Sequence, residues 1–308
     1  MTTTTTNTDR RRLIVVVGAT GSGKTDLAIA LAQHYGAPIV STDSRQFYRG
    51  MPIGTAQPTA AQLRAAEHHF IASHDITEEL SCGSYEVQAL ELLDRLFATH
   101  DTVVAVGGSG LYVKALCEGL DDLPQADPEL RERLNAELRE QGVEAMAERL
   151  RELDPRYYEQ VDRSNPARVL RAVEVCLQTG RPFSELRLGG RRERPFAIVK
   201  IGIEMERGEL YERINRRVDA MMAEGLEAEA RALYPCRHLN ALRTVGYREL
   251  FDYFDGRCSY DEAVEAIKRN TRHYAKRQMT WFRRDGEIRW FRRDDLGAMF
   301  RYVDFGES

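Results

Sequence analysis

No stretch of this 308-residue sequence approaches the roughly eighteen consecutive apolar residues of a membrane-spanning helix, which argues against a place in the bilayer. Cysteine is scarce. The five present (Cys82, Cys117, Cys176, Cys236, Cys258) are odd in number and widely separated, and contain no CxxC pair. That pattern speaks against a disulfide framework and a zinc ribbon, and for a reducing, cytoplasmic setting. Glycine (23) and proline (10) are too few, and charged residues (30%) too balanced, for a disordered or low-complexity chain. Neither sign of charge prevails: 44 Lys and Arg stand against 48 Asp and Glu, so attraction to nucleic acid has to come from local patches. The opening Met1 to Arg12 is Thr-rich, closes on Arg10, Arg11 and Arg12, and lacks the apolar core of a signal peptide; residues 1–12 read as a disordered tail. No repeat of about 20–50 residues is visible. What the sequence does have is 43% hydrophobic residues, enough to bury the cores of about two domains, with a monomer as the default.

The apolar residues fall into an α/β order. Leu13-Ile-Val-Val-Val17 is a short, β-branched, continuously apolar run, as in a strand buried on both faces of a parallel sheet. A Gly-rich turn and an amphipathic helix follow, Gly36 and Pro38 stop that helix, and Pro38 to Thr42 makes the next strand. A helix carrying Val87, Leu90, Leu93, Leu96 and Phe97 leads to a third strand, Thr102 to Val106, which exits through Gly107-Gly108; a further β-rich segment spans Phe196 to Ile203. This alternation predicts a three-layer parallel-sheet core over 13–120 and 193–308. Residues 121–192 differ in texture and predict a helical insertion. Asp127-Pro128 begins a helix that Gly142 ends, and Asn165-Pro166 begins another that closes at Gly180. Downstream, Arg207 to Leu233 reads as a helix or helix pair, and a last long helix runs from near Asp261 to about Phe282, giving a helical carboxyl-terminal region.

The strongest local signal is Gly18-Ala19-Thr20-Gly21-Ser22-Gly23-Lys24-Thr25, a complete GxxxxGK[ST] between a strand and a helix. Its glycines let the backbone wrap a phosphate, its amides and the helix N-terminus supply positive potential, Lys24 adds a charge, and the Thr25 hydroxyl suits Mg²⁺. An NTPase of this type also needs an Asp at the end of a second apolar strand to hold the metal. The best candidate strand ends instead in Gly107-Gly108-Ser109-Gly110. Asp43, beyond the strand Pro38 to Thr42, lies at the sheet's carboxyl edge, where open α/β sheets bind ligands; a turn or N-cap aspartate is the alternative.

These blocks occur together and in order. GATGSGKT, the segment Asp43-Ser-Arg-Gln46-Phe-Tyr48-Arg49-Gly50-Met51 with Ile53-Gly54-Thr55-Ala56, and Gly107-Gly108-Ser109-Gly110-Leu111-Tyr112 resemble the tRNA dimethylallyltransferases, the isopentenyl-tRNA transferase family. So do Asn165-Pro-Ala-Arg168-Val-Leu-Arg171-Ala-Val-Glu174, Thr244-Val-Gly246-Tyr247-Arg248 and Ala275-Lys-Arg277-Gln278-Met-Thr280-Trp281, and the likeness covers roughly Leu13 to Phe291. The resemblance implies a P-loop that holds the diphosphate of dimethylallyl diphosphate, with Mg²⁺ at Thr25, and transfer of the prenyl group to N6 of adenosine 37 in the tRNA anticodon stem-loop. It assigns Asp43 as the base, with Lys24, Thr25, Ser109 and Arg217 around the diphosphate; Arg213 and Arg216 stand in the same segment, and the sequence leaves open which of the three makes the contact. It assigns tRNA contacts to Asp43, Ser44, Arg45, Gln46, Ser109, Arg131, the run Ala167, Arg168, Val169, Leu170 and Arg171, and to Arg243, Tyr247, Arg248, Arg272, Lys276 and Arg277. One departure is Ser109, where most such proteins have Thr. The hydroxyl is kept and the χ1-stiffening methyl is lost. With no CxxC to suggest a zinc-finger extension, a bacterial type is implied.

The residue types suit that chemistry. An adenine amine is a weak nucleophile that a carboxylate within hydrogen-bond reach assists, and a departing diphosphate needs fixed positive charge. Between Lys268 and Arg293 lie ten Lys or Arg against two acids, with Arg269, Arg272, Lys276 and Arg283 on one helical face and His273, Tyr274, Trp281 and Trp290 interleaved. Such a patch suits phosphate contact and base stacking, or is simply a solvated face over buried aromatics. His68, His69 and His74 lack acidic or Cys partners at ligand spacing and read as surface or packing residues. Three rival functions are weighed against these features: prenyl transfer to a free adenine nucleotide, a small-molecule kinase that turns over ATP, and a non-catalytic RNA-binding ATP sensor.

Overall fold

The computed structural model describes residues 11–187 and 189–306; most of the expected tail lies outside them, and Arg12 already belongs to the first strand. In chain order the elements are β1 (Arg12–Gly18), α1 (Lys24–Tyr35), β2 (Ile39–Ser41), α2 (Ala60–Ala65), β3 (His68–His69), α3 (Cys82–Leu96), β4 (Thr102–Gly107) and α4 (Gly110–Glu118). Then come α5 (Pro128–Leu153), α6 (Pro155–Tyr158), α7 (Pro166–Thr179) and α8 (Phe183–Leu186). The chain closes with β5 (Ala197–Glu204), α9 (Arg207–Glu224), α10 (Leu226–Leu233), α11 (Tyr247–Phe254), α12 (Tyr260–Phe282), β6 (Arg289–Arg292) and α13 (Leu296–Phe305). Two compact units result: Glu118–Arg192, and the remainder of the chain.

The larger unit is built on one six-stranded parallel sheet in the order β3-β2-β4-β1-β5-β6. β1 is central, and Leu13 to Val17 are each 0% exposed, which explains the absence of any polar alternation in that run. Its side chains still alternate in direction. Leu13, Val15 and Val17 pack with Leu93, Leu96 and Leu116 of α3 and α4, whereas Ile14 and Val16 pack with Leu27 and Leu31 of α1 and with Met299 and Val303 of α13. Each such burial contributes on the order of 1.5–3 kcal/mol, and together they make the three layers.

The carboxyl-terminal region is not wholly helical. Arg289–Arg292 adds to β5 as an edge strand, with Ile201 opposite Arg289 and Gly202 opposite Trp290. Trp290, partly buried, packs against one core layer and Phe291 against the other. The strand has only four residues flanked by arginines, and its identity comes from the partner strand, not from its own pattern.

In the smaller unit, Asp127 caps α5 through the amides of Glu129 and Leu130, and Asn165 caps α7 through Arg168. Gly142 (φ 84°, ψ 173°) interrupts α5 where the sequence predicts its end, but helix resumes directly to Leu153. Leu134, Leu150, Val169 and Val173 form the core. Beside it the fully buried Glu174 accepts hydrogen bonds from both Arg131 and Arg171, and Arg171 also donates to the Pro124 carbonyl at 2.6 Å. Stripping one partner from such a buried carboxylate is costly, so both guanidiniums are held in place by the unit itself.

Candidate active site

Strand order brings the chemistry to one edge. β1 and β4 both end in glycine, with Val17 opposite Gly107, and the amide of Thr42 continues β2 by donating to the Val106 carbonyl at 2.8 Å. The P-loop, the Gly107–Gly110 turn and Asp43 therefore leave the sheet side by side at its carboxyl end. Side chains are excluded where the turns cross: a Cβ on Gly107 would run into Thr42 and the Asp43 amide, and one on Gly108 into the Gln278 amide. Gly21 (φ 83°) and Gly23 (φ 92°) adopt the left-handed backbone that wraps the loop before α1.

Behind that loop Lys24 Nζ donates to the Ala19 carbonyl at 2.8 Å. Withdrawal from solvent pushes its ammonium down to about 8; the nearby Arg217 adds to this and Asp43 opposes it. Burial likewise lowers Arg217, again with Asp43 as the favourable neighbour. Two cations and one carboxylate thus share a recess, an arrangement that a multiply charged anion would stabilise. Of the three arginines the sequence leaves open, Arg217 enters this recess and reaches Thr20 Oγ1 at 3.5 Å, while Arg213 Nε donates to the Gly21 carbonyl at 2.9 Å and its side chain lines a neighbouring cavity beside Lys24 and Thr25. Arg216 is exposed and lines a neighbouring cavity with Lys24, Thr25 and Asp26.

Asp43 is oriented by its own turn: its amide donates to Ser41 Oγ (3.2 Å) and its Oδ1 accepts the Arg45 amide (3.2 Å). Ser109 Oγ accepts the Ser44 amide at 3.0 Å and lies 3.1 Å from Ser44 Oγ. Asp43, Thr20 and Arg217 line two cavities at once, the small recess at Lys24 and Thr25 and a cleft of ≈ 510 Å³. The cleft has apolar walls from Val218, Met221, Leu226 and Ile267, and the cationic side chains of Arg45, Arg243, Arg248 and Arg277, with Trp281. Among the described residues no three His, Cys, Asp or Glu side chains gather as metal ligands; His68 and His69 form the short β3, and no helix is long and apolar enough to cross a membrane.

A family model described as IPP transferase matches residues 46–285. The chain belongs to the IPP transferase family. It is 52% identical over 274 residues to tRNA dimethylallyltransferase 2 of Porphyromonas gingivalis, covering 89% of this chain and 91% of that one. It is 48% identical over 288 residues to tRNA dimethylallyltransferase 2 of Parabacteroides distasonis, covering 94% and 96%. The solved tRNA isopentenylpyrophosphate transferase of Bacillus halodurans is 35% identical with a TM-score of 0.71, and the match covers 95% of each chain. The resemblance drawn from the motifs therefore holds, and the protein is an enzyme, a prenyltransferase with the P-loop kinase-like fold.

Within this IPP transferase the structure gathers Gly18 to Thr25, Asp43, Ser44, Arg45, Ser109 and Arg217 around one edge, with Arg243, Arg248 and Arg277 on the adjoining cleft. The other expected contacts differ in how far the protein itself engages them. Tyr247 is 0% exposed and donates to Glu229 at 2.6 Å, and Val169 and Leu170 are in the core of the smaller unit, so these three support a surface and do not form it. Gln46, which lines the recess, donates to the Ala56 carbonyl (2.9 Å), and Arg45, which lines the cleft, to the Asn240 carbonyl (2.9 Å), so both also tie down loops. Arg272 is held by Asn215 Oδ1 at 2.6 Å, whereas Lys276, Ala167 and Arg168 are exposed. Tyr274 and Trp281, which the sequence places among the interleaved aromatics of the basic stretch, and Gln278, which it shows only as part of a motif, line the cleft from one face of α12.

Proposed function

We propose that this IPP transferase moves the dimethylallyl group of dimethylallyl diphosphate to N6 of adenosine 37 in the anticodon stem-loop of tRNA, as a monomer in the cytoplasm. The observation that carries the reading is the position of Asp43, which lines both the cationic recess of the P-loop and the large cleft. A donor with its diphosphate on the loop amides, Lys24 and Arg217 has room for an apolar five-carbon chain along Val218, Met221 and Leu226. An adenine entering the cleft then presents N6 to the allylic carbon. As the N6–C1 bond forms, the C1–O bond breaks with its electron pair leaving on the diphosphate, and the N6 proton passes to the Asp43 carboxylate. Extracting the base from its stack costs a few kcal/mol, which contacts from Arg243, Arg248, Lys276 and Arg277 to the RNA backbone offset.

The donor set suits Mg²⁺, which binds few protein oxygens and keeps waters and phosphate oxygens. Thr25, as the first-turn hydroxyl of α1, would hold it with the diphosphate, and the charge it supplies when bound is neutralisation of the leaving group. Lys24 and Arg217 do the rest from fixed positions.

Transfer of label from radiolabelled dimethylallyl diphosphate to unmodified tRNA, beside AMP as acceptor and beside ATP hydrolysis, tests the reading. Label on adenosine 37 alone is expected, and Asp43→Asn is expected to lower turnover by about 10²–10³-fold with the donor still bound. Label on AMP, or ATP turnover, would replace this function with one of its rivals.

A further inference from the structure

Gln278 is 5% exposed and lies on α12, yet its partners belong to neither α12 nor its neighbours in sequence. Its Oε1 accepts the Thr20 amide at 2.8 Å, and its Nε2 donates to the Gly108 carbonyl at 2.9 Å. The partners fix the amide's orientation, since an N–H must face an oxygen and a carbonyl must face a nitrogen. One side chain therefore clamps the tip of the P-loop to the glycine turn that carries Ser109. A third element supplies the clamp: α12 also presents Tyr274, Arg277 and Trp281 to the cleft. Polar groups buried with both ends satisfied rigidify what they join, and half-satisfied ones are costly.

We propose that Gln278 is a positioning residue that sets the diphosphate loop against the Ser109 turn and makes the loop and the acceptor-facing side of α12 one mechanical piece, so that donor and acceptor binding are coupled through it. This rests on the function proposed above for its second half, since it takes RNA as what binds along α12. Both polar ends of the Gln278 amide are taken up by Thr20 and Gly108. It acts by holding Thr20 and Gly108 at the separation that the loop amides and the Ser109 hydroxyl need in order to meet one diphosphate.

Gln278→Met keeps the side chain's length and burial and removes both hydrogen bonds, and Gln278→Glu keeps the acceptor for Thr20 while placing an oxygen against the Gly108 carbonyl. Both full-length variants are compared with the wild type in three ways: thermal midpoint, calorimetric binding of inorganic diphosphate, and donor KM, kcat and donor affinity with and without an anticodon stem-loop. In Gln278→Met, diphosphate binding is expected to weaken about tenfold and donor KM to rise similarly, with tRNA KM within twofold. The effect of the stem-loop on donor affinity is expected to shrink to within twofold of none. Gln278→Glu should fall between wild type and Gln278→Met in the response to the stem-loop, because one of its two tethers survives. A lower midpoint with unchanged donor KM and unchanged diphosphate affinity would reduce Gln278 to a structural residue and overturn the proposal, and so would a wild type whose donor affinity ignores the stem-loop. Diphosphate binding does not depend on prenyl transfer. If the wild type failed to modify tRNA while Gln278→Met still weakened diphosphate binding, the function would fall and the positioning role would stand.

Discussion

At the scale of single residues the site is held in electrostatic tension, and Lys24 is where that tension can be read. Its ammonium is lowered from the ordinary 10.5 to about 8, mainly by withdrawal from water and then by Arg217. Between those two values the unfolded chain keeps a proton that the folded chain has released, so Lys24 opposes folding fully below about pH 8 and less as pH rises through that window. A bound diphosphate reverses the balance, because its charge favours the ammonium. Binding of inorganic diphosphate near pH 8.5 should therefore take up a proton, visible as a dependence of the calorimetric heat on the buffer's ionisation enthalpy, and affinity should decline as pH climbs above about 8. Lys24→Arg, charged at every working pH, should lose that lysine's share of the proton uptake. Buffer-independent heats in the wild type would mean that Lys24 is already fully charged in the free protein.

At the scale of elements, what the sequence revealed and what it hid have different physical origins. β1, α1, β4, α7 and α12 were legible because burial on two faces, capping residues and helical periodicity are local signals: Asn165 and Gly180 bracket α7 in the structure as they do in the sequence. β3 and β6 were not, because two to four residues become a strand only through the partner that pairs with them. The same division holds at the site. The P-loop and Asp43 could be read directly, but the clamps that hold them come from distant segments, and Glu229 of α10 is such a case. Its carboxylate accepts the amides of Ile53 (2.9 Å) and Gly54 (2.8 Å) and the Tyr247 hydroxyl (2.6 Å), pinning the loop whose Thr55 and Ala56 line the cleft and anchor Gln46. Gly54 is required there because a Cβ would meet the Tyr247 ring at 2.6 Å. Glu229→Gln turns an N–H toward one of those amides and should cost about 1–3 kcal/mol in denaturant unfolding, with turnover reduced further as the loop loosens; Tyr247→Phe removes one bond and should cost about 1 kcal/mol. If Tyr247→Phe proved the more damaging, the hydroxyl's bond to Glu229, and not the carboxylate's hold on the two amides, would be what pins the loop.

At the scale of the whole molecule, a chain of net charge −4 that works on a polyanion has to confine its positive charge, and the number of basic residues in a segment overstates how many of them serve that purpose. Lys268 opens the basic stretch, yet Asp219 holds it at 2.8 Å and Glu265 at 3.0 Å, and these carboxylates keep its ammonium above the usual range. Arg272 leans on Asn215 and Tyr211 of α9. Lys276 and Arg277, one turn further along α12, are exposed, and Arg277 opens onto the cleft. Each phosphate neutralised by such a cation releases counterions, so the logarithm of the tRNA affinity should fall linearly with the logarithm of salt concentration, by about 0.7–0.9 in slope per contact. Lys276→Ala and Arg277→Ala should each lower the magnitude of that slope by about one contact, whereas Lys268→Ala should leave it unchanged, because Lys268 is already neutralised by its own protein. Diphosphate binding at the recess should be the same in all three variants. Equal loss of slope in Lys268→Ala and Lys276→Ala would mean that RNA breaks the Asp219 and Glu265 pairs on binding, and the footprint on α12 would then begin a full turn or more earlier than its resting ion pairs indicate.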